Sequence, residues 1–197
     1  MIMSMCRISG RKICVTNRHL VEGDFLSQIE RVAASDIDML ILREKDLTEA
    51  AYTELAKQVL AVCRKQKKRC ILHTYPDAAR SLHADGIHFP LPVLLDYKKQ
   101  HGNLKVEEFG EIGTSVHSVE EAIQAVEAGA TYLTAGHVFV TDCKKGVPAR
   151  GLDFLAQVCR AVEVPVYAIG GIDEENAASC MQAGAAGVCM MSALMQG

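Results

Sequence analysis

The sequence predicts an α/β fold, a (βα)8 TIM barrel whose eighth helix is short or missing. Three observations predict it. Eight short apolar runs alternate with seven longer segments of helical periodicity. The runs are apolar throughout rather than alternately apolar and polar, as expected of parallel strands covered on both faces. No hairpin turn joins them, so the connections are right-handed crossovers and the sheet is parallel. Eight such units suit a closed barrel; a flavodoxin-like open sheet, the alternative, needs only about five strands.

The elements follow in order. Residues 12–16 form the first strand, and residues 23–34 carry a helical stripe of Phe25, Ile29, Val32 and Ala33. Residues 39–42 are the second strand. Thr48 is the expected N-cap of a helix to residue 65, with Leu55, Val59, Leu60 and Val62 on one face. Residues 70–73 form the third strand, before a short helix at 76–83. The fourth strand, 86–89, is stopped by Pro90 and Pro92, so the next helix begins at or after them. Residues 111–114 form the fifth strand. Ser118 with Glu121 three residues on is a capping box for a helix to residue 127, which Gly129 ends. The sixth strand is 131–135. A polar loop at 139–150 leads to a helix at 153–162, the seventh strand at 164–169, a helix at 173–182 and the eighth strand at 187–190.

The 197 residues read as one domain spanning the chain. With 24 acidic against 21 basic side chains the formal charge is −3, which excludes a general nucleic-acid binder. No apolar run reaches the roughly 18 residues of a membrane span. Residues 1–11 lack the apolar core of a signal peptide. Eight cysteines are scattered without a CxxC pair, so they read as reduced thiols of a cytoplasmic protein, with no metal site and no disulfide framework. No HxH or HExxH spacing supports a zinc site, although His73, His88, His117 and His137 all fall at strand ends.

In a barrel of this kind chemistry sits at the C-terminal ends of the strands. That rule gathers Arg43 and Lys45, His73, His88, Ser115 and His117, Gly136 and His137, Thr141, Lys144 and Lys145, Gly170 and Gly171, and Met191 and Ser192. Gly170-Gly171 admits a ligand close to the backbone, and Met191-Ser192 opens whatever helix follows strand eight. Together they mark a phosphate site, as against a plain tight turn. The cations at 43, 45, 144 and 145 suit a second anion or a solvated rim. His137, in partly apolar surroundings, is the candidate proton carrier, as against a hydrogen-bonded structural histidine.

Four stretches carry a resemblance: Leu42-Arg43-Glu44-Lys45, Thr114-Ser115-Val116-His117-Ser118, residues 136–146 (Gly-His-Val-Phe-Val-Thr-Asp-Cys-Lys-Lys-Gly) and Ala168-Ile169-Gly170-Gly171-Ile172. In this order the chain resembles the thiamine phosphate synthase/TenI superfamily. The resemblance implies a (βα)8 barrel and one of two activities. Synthases join a pyrimidine pyrophosphate to a thiazole phosphate with Mg2+. Their Asn-Asp after strand three is His73-Thr74 here, their Gly-Gln-Glu-Asp after strand four is Pro90-Leu91-Pro92-Val93, and their glutamine on strand two is Ile41.

The 136–146 stretch is closer to the TenI branch, the metal-independent thiazole tautomerases, whose histidine at this place is the acid/base. The resemblance thus implies an isomerase of thiamine biosynthesis with His137 as general acid/base and no cofactor. It also implies a thiazole phosphate held by Gly170, Gly171, Met191 and Ser192, and contacts from Arg43, Lys45, Ser115, Thr141 and Lys144. The alternatives are a Mg2+-dependent thiamine phosphate synthase and a non-catalytic phosphate-binding relative. A short eighth helix should leave an apolar strip around strands eight and one. A homo-oligomer partner or residues 1–9 are expected to cover it, with neither nucleic acid nor membrane as partner.

Overall fold

A computed structural model describes residues 10–102, 104–141 and 146–196. Eight parallel strands close on themselves in the order of the sequence. They are β1 (Arg11–Val15), β2 (Met39–Leu42), β3 (Arg69–His73), β4 (Gly86–Pro90), β5 (Glu111–Val116), β6 (Tyr132–Gly136), β7 (Val166–Ile169) and β8 (Gly187–Met190). Closure is made by β1 on β8, with Ile13 opposite Cys189 and Cys14 opposite Met190. The barrel reading therefore holds over the open-sheet alternative.

The helices between the strands are α1 (Phe25–Ala34), α2 (Glu49–Lys65), α3 (Pro76–Ser81), α4 (Leu91–His101), α5 (Val106–Phe109), α6 (Val119–Glu127), α7 (Gly151–Ala161), α8 (Ala177–Gln182) and α9 (Ser192–Met195). A 3-10 turn at Arg18–Leu20 precedes α1. Thr48 caps α2 by accepting from the Ala51 amide. Ser118 accepts from the Glu121 amide as a capping box requires, but the Glu121 carboxylate reaches one residue further back, to the His117 amide at 2.6 Å. Several helix bounds shift by a few residues from expectation, and one short helix is new. The helix expected from 173 begins at Ala177, because Asp173 first folds a turn, its Oδ1 accepting from the amides of Glu175 and Asn176. The turn α5 was not expected; four residues are too few for a periodic signal, and its one buried side chain is Phe109.

Two apolar layers result. Between strands and helices lies the larger, built from residues such as Leu40, Leu72, Val59 and Leu155. Inside the barrel lies the smaller, of Ile13, Val15, Met39, Ile41, Ile71, Tyr132, Tyr167 and Cys189. Below it, at the N-terminal ends of the strands, the Arg69 guanidinium donates to Glu111 at 2.6 Å and Arg11 donates to the Tyr167 hydroxyl at 3.1 Å. Conserving the interior as a packed layer leaves chemistry to the opposite end.

The eighth helix is indeed one turn. α9 nonetheless does part of the covering expected of a longer helix. Met195 is fully buried with its sulfur 3.8 Å from Cys14 Sγ, and Gln28 of α1 donates to the Leu194 carbonyl at 2.7 Å. Among the described residues no large apolar side chain of α1, α8 or α9 is exposed. The strip expected around β8 and β1 is therefore closed here by the chain itself. Residues 1–9, the other expected cover, lie outside the described residues. The cysteines at 14, 63, 70, 159, 180 and 189 are free thiols, and no helix among the described residues is long and apolar enough to cross a membrane.

Candidate active site at the C-terminal mouth of the barrel

The strand ends enclose a cavity of about 550 Å³. Arg43, Lys45, Ser115, His137, Thr141, Gly170, Gly171, Met191 and Ser192 all line it. Lys144, the remaining candidate, lies outside the described residues, as does Lys145. Sequence reasoning passed over the apolar wall formed by Leu91, Pro92, Leu95 and Ile172. Pro92 had entered as a stop to strand four, Leu91 within the 90–93 stretch and Ile172 within the 168–172 stretch, and nothing had singled out Leu95. His73 and His117 line the cavity too, with Glu121 as its one carboxylate among the described residues.

The β2 end is held by a buried carboxylate. Glu44 accepts from the Thr16 hydroxyl at 2.7 Å and from the Arg18 amide and guanidinium, and its side chain is 1% exposed. Thr16 Oγ1 in turn accepts from the Arg43 amide at 2.9 Å. Glu44, assigned no role from sequence beyond its place in the 42–45 stretch, anchors the loop that presents Arg43 and Lys45.

The β6 and β7 ends are fitted to one another. The Val138 amide donates to the Ile169 carbonyl and the Phe139 amide to the Gly170 carbonyl, so the two chains run on side by side past the strands. A Cβ on Gly170 would lie 2.2 Å from the His137 Cβ, and one on Gly171 would lie 2.4 Å from the Val140 carbonyl oxygen. Both glycines have positive φ. They are thus required by the close approach of residues 137–140 and by their own positive φ.

His137 is 4% exposed. Its Nε2 lies 3.2 Å from the Val147 carbonyl, which can only accept, so a neutral ring carries its proton on Nε2. Nδ1 is then an acceptor, and it is buried with no hydrogen-bond partner among the described residues. The adjacent Gly136–His137 peptide is cis. His117 is turned the other way round: its Nδ1 donates to the Gly136 carbonyl at 2.7 Å.

Deeper in, a polar chain runs across the barrel. The Tyr132 hydroxyl meets His88 Nδ1 at 3.0 Å, His88 Nε2 meets Ser115 Oγ at 2.9 Å, and Ser115 Oγ meets Thr134 Oγ1 at 3.0 Å. His73 stacks on His88 with ring centroids 5.5 Å apart. Burial, followed by the charge of Arg43, pushes the His88 imidazole down to about 3. Burial and then His88, Arg43 and Lys45 hold His73 well below the usual imidazole range. Both rings are neutral near pH 7.

Magnesium, which the synthase branch would require, takes oxygen ligands and above all carboxylates. Among the described residues no three His, Cys, Asp or Glu side chains stand together as a metal site. Glu121 is committed to the His117 amide. The described residues therefore offer magnesium one carboxylate at this cavity, Glu121, and no ready-made cage.

A closed (βα)8 barrel with cations, paired glycines and imidazoles around a cavity at its C-terminal mouth presents a candidate small-molecule site. Comparison with known proteins narrows this. The family model described as thiamine monophosphate synthase matches residues 13–194. "Thiamine-phosphate synthase 2" of Streptococcus pneumoniae is 34% identical, the match covering 98% of this chain and 90% of that one. "Thiamine-phosphate synthase" of Clostridium acetobutylicum is 32% identical over 97% of this chain and 90% of that one. Thiamine phosphate pyrophosphorylase from Pyrococcus furiosus superposes with a TM-score of 0.78 at 29% identity, over 95% of this chain and 88% of that one. The chain belongs to the thiamine monophosphate synthase/TenI family, a family of thiamine biosynthesis.

Proposed function

We propose that this barrel is a metal-independent thiazole tautomerase acting on a carboxythiazole phosphate. The observation that carries the reading is His137. It is an imidazole on the cavity wall whose Nδ1 has no partner among the described residues, where Glu121 is the one described carboxylate and accepts from the His117 amide. Aromatisation removes a proton from a ring carbon and adds one to the exocyclic carbon of a double bond. His137 Nδ1 takes the first proton. The electron pair left behind forms the ring double bond, and the exocyclic double bond takes its proton from the resulting imidazolium. No bond to a leaving group breaks and no oxidant is consumed.

Gly170, Gly171, Met191 and Ser192 bind the phosphate in this reading, with backbone N–H groups as donors. Arg43, Lys45, Thr141 and Lys144 serve the carboxylate end, and Ser115 hydrogen-bonds the ring. A cytoplasmic, homo-oligomeric enzyme remains the expectation.

The names of the relatives favour a second reading, thiamine phosphate synthase. One experiment separates the two. The protein is given the carboxythiazole phosphate tautomer with and without EDTA, and, separately, pyrimidine pyrophosphate with thiazole phosphate and Mg2+. Isomerisation that survives the chelator, and falls by about a hundredfold or more in His137→Asn, is expected. Robust condensation with no isomerisation would replace this reading by the synthase. Ligand binding without either turnover would make the chain a phosphate-binding relative.

A further inference from the structure

The interior polar chain is not explained by packing. His88, Gly113 and Tyr132 occupy one level of the barrel, His88 opposite Gly113 and Gly113 opposite Tyr132. Gly113 has no side chain, and the Tyr132 ring fills its place: a Cβ there would lie 2.0 Å from Tyr132 Cζ. The tyrosine thereby crosses a whole strand to reach the imidazole of β4. On the far side of that ring stands Ser115, one level higher and on the cavity wall.

The direction of the hydrogen bonds follows from the groups present. The buried Tyr132 phenol needs an acceptor for its proton, and among the described residues its one hydrogen-bond partner is His88 Nδ1, so it donates there. A neutral imidazole that accepts at Nδ1 carries its proton on Nε2, which then donates to Ser115 Oγ. With its oxygen accepting from His88, the Ser115 hydroxyl has its own proton to give, to Thr134 or to a ligand.

We infer that His88 is a positioning residue: through a fixed tautomer set by Tyr132 it orients the Ser115 hydroxyl as a hydrogen-bond donor to an acceptor atom of the ligand. The ligand atom met there is therefore an acceptor, such as a carboxylate or phosphate oxygen or an unprotonated ring nitrogen, and not an N–H group. This rests on the small-molecule reading of the cavity and not on which reaction occurs there.

Two measurements test it. The first needs no ligand. Nitrogen NMR of the ring-labelled protein should show His88 protonated on Nε2 and unprotonated on Nδ1 from pH 5 to 8, with Tyr132→Phe weakening that preference. A His88 ring protonated on Nδ1, or doubly protonated, overturns the inference whatever the protein does with substrate.

The second is a double-mutant cycle on affinity for the thiazole phosphate, with folding followed by circular dichroism. Ser115→Ala and His88→Phe should each weaken binding by about tenfold, the worth of one hydrogen bond to a charged group. The pair should be no worse than either alone, since both remove one oriented hydroxyl. His88→Gln, which can still reach Ser115, should recover most of the loss. Additive losses, or no loss in folded His88→Phe, overturn the inference. Should the thiazole phosphate fail to bind the unaltered protein, the function proposed above falls. The cycle is then run with inorganic phosphate and with a simple aromatic carboxylate, and the same coupling is required of whichever binds.

Discussion

Gly170 and His137 share one space: any side chain at the glycine would occupy the position of the His137 Cβ, 2.2 Å away. The glycine also sits at φ +101°, where other residues are strained. The histidine is thus placed by its neighbour on β7 as much as by its own strand.

Gly170→Ala should therefore injure the site more than the fold. We expect about 1–3 kcal/mol of lost stability from the strained backbone. Turnover of the thiazole substrate should fall at least as far as in a variant that merely weakens phosphate binding, because the imidazole must move. Urea unfolding and single-turnover rates check the two parts. An alanine variant with unchanged rate would show that the contact does not position His137.

Glu44 gives a second prediction. Its carboxylate accepts from Thr16 and Arg18 behind the loop that carries Arg43 and Lys45. Glu44→Ala removes the acceptor of the buried Thr16 hydroxyl and of the Arg18 amide, while the Arg18 guanidinium keeps Asp46, and should cost about 1–3 kcal/mol. Affinity for an anionic ligand should drop as well, although Glu44 does not line the main cavity. Calorimetry on a folded Glu44→Gln protein, expected to lie between the two, separates loop position from gross instability.

The interior histidines make stability fall in acid. Both imidazoles are depressed in the folded chain, His88 to about 3. Below the ordinary imidazole value of about 6.5 the unfolded chain therefore binds more protons than the folded one, and stability is lost as pH drops. The loss begins near pH 6.5 and continues until His88 itself titrates near 3. Between pH 7 and pH 5, His88 alone should account for about 2 kcal/mol. Urea midpoints across that range should fall more gently in His88→Phe than in the unaltered protein, and equal slopes would contradict the assignment.

Met195 tests the closure of the barrel at its seam. It is fully buried against Cys14 from a helix of one turn. Met195→Ala should cost about 2–4 kcal/mol. At about 2–4 °C per kcal/mol for a domain of this size, thermal melting would show it plainly. A melting temperature within a degree of the original would mean that the seam tolerates the loss.

Much of the barrel was legible because each buried parallel strand leaves a run such as Met39–Leu42, with no polar residue to alternate with. Thr48 and Ser118 announced their helices by local chemistry that involves only the next three residues. α5 was not legible, since Val106–Phe109 is shorter than the period that would reveal it. Within the site, strand ends supplied the lining residues because the rule of the fold is positional. The pairing of His88 with Tyr132 could not be read, being set by cross-strand register over 44 residues and by the missing side chain of Gly113. The anchoring role of Glu44 was no more legible, because its partner Arg18 stands 26 residues earlier in the chain.

The solid interior has a consequence for traffic. Tyr132, Tyr167 and their aliphatic neighbours stop the barrel, and the Arg11, Arg69 and Glu111 side chains close the end beneath them. Nothing can pass through. A ligand arrives by the mouth and its product leaves by the same door, so one molecule must vacate the chamber before the next can enter. Any bulky extension on a substrate must then trail outward toward solvent, past the apolar wall of Leu91, Pro92 and Leu95.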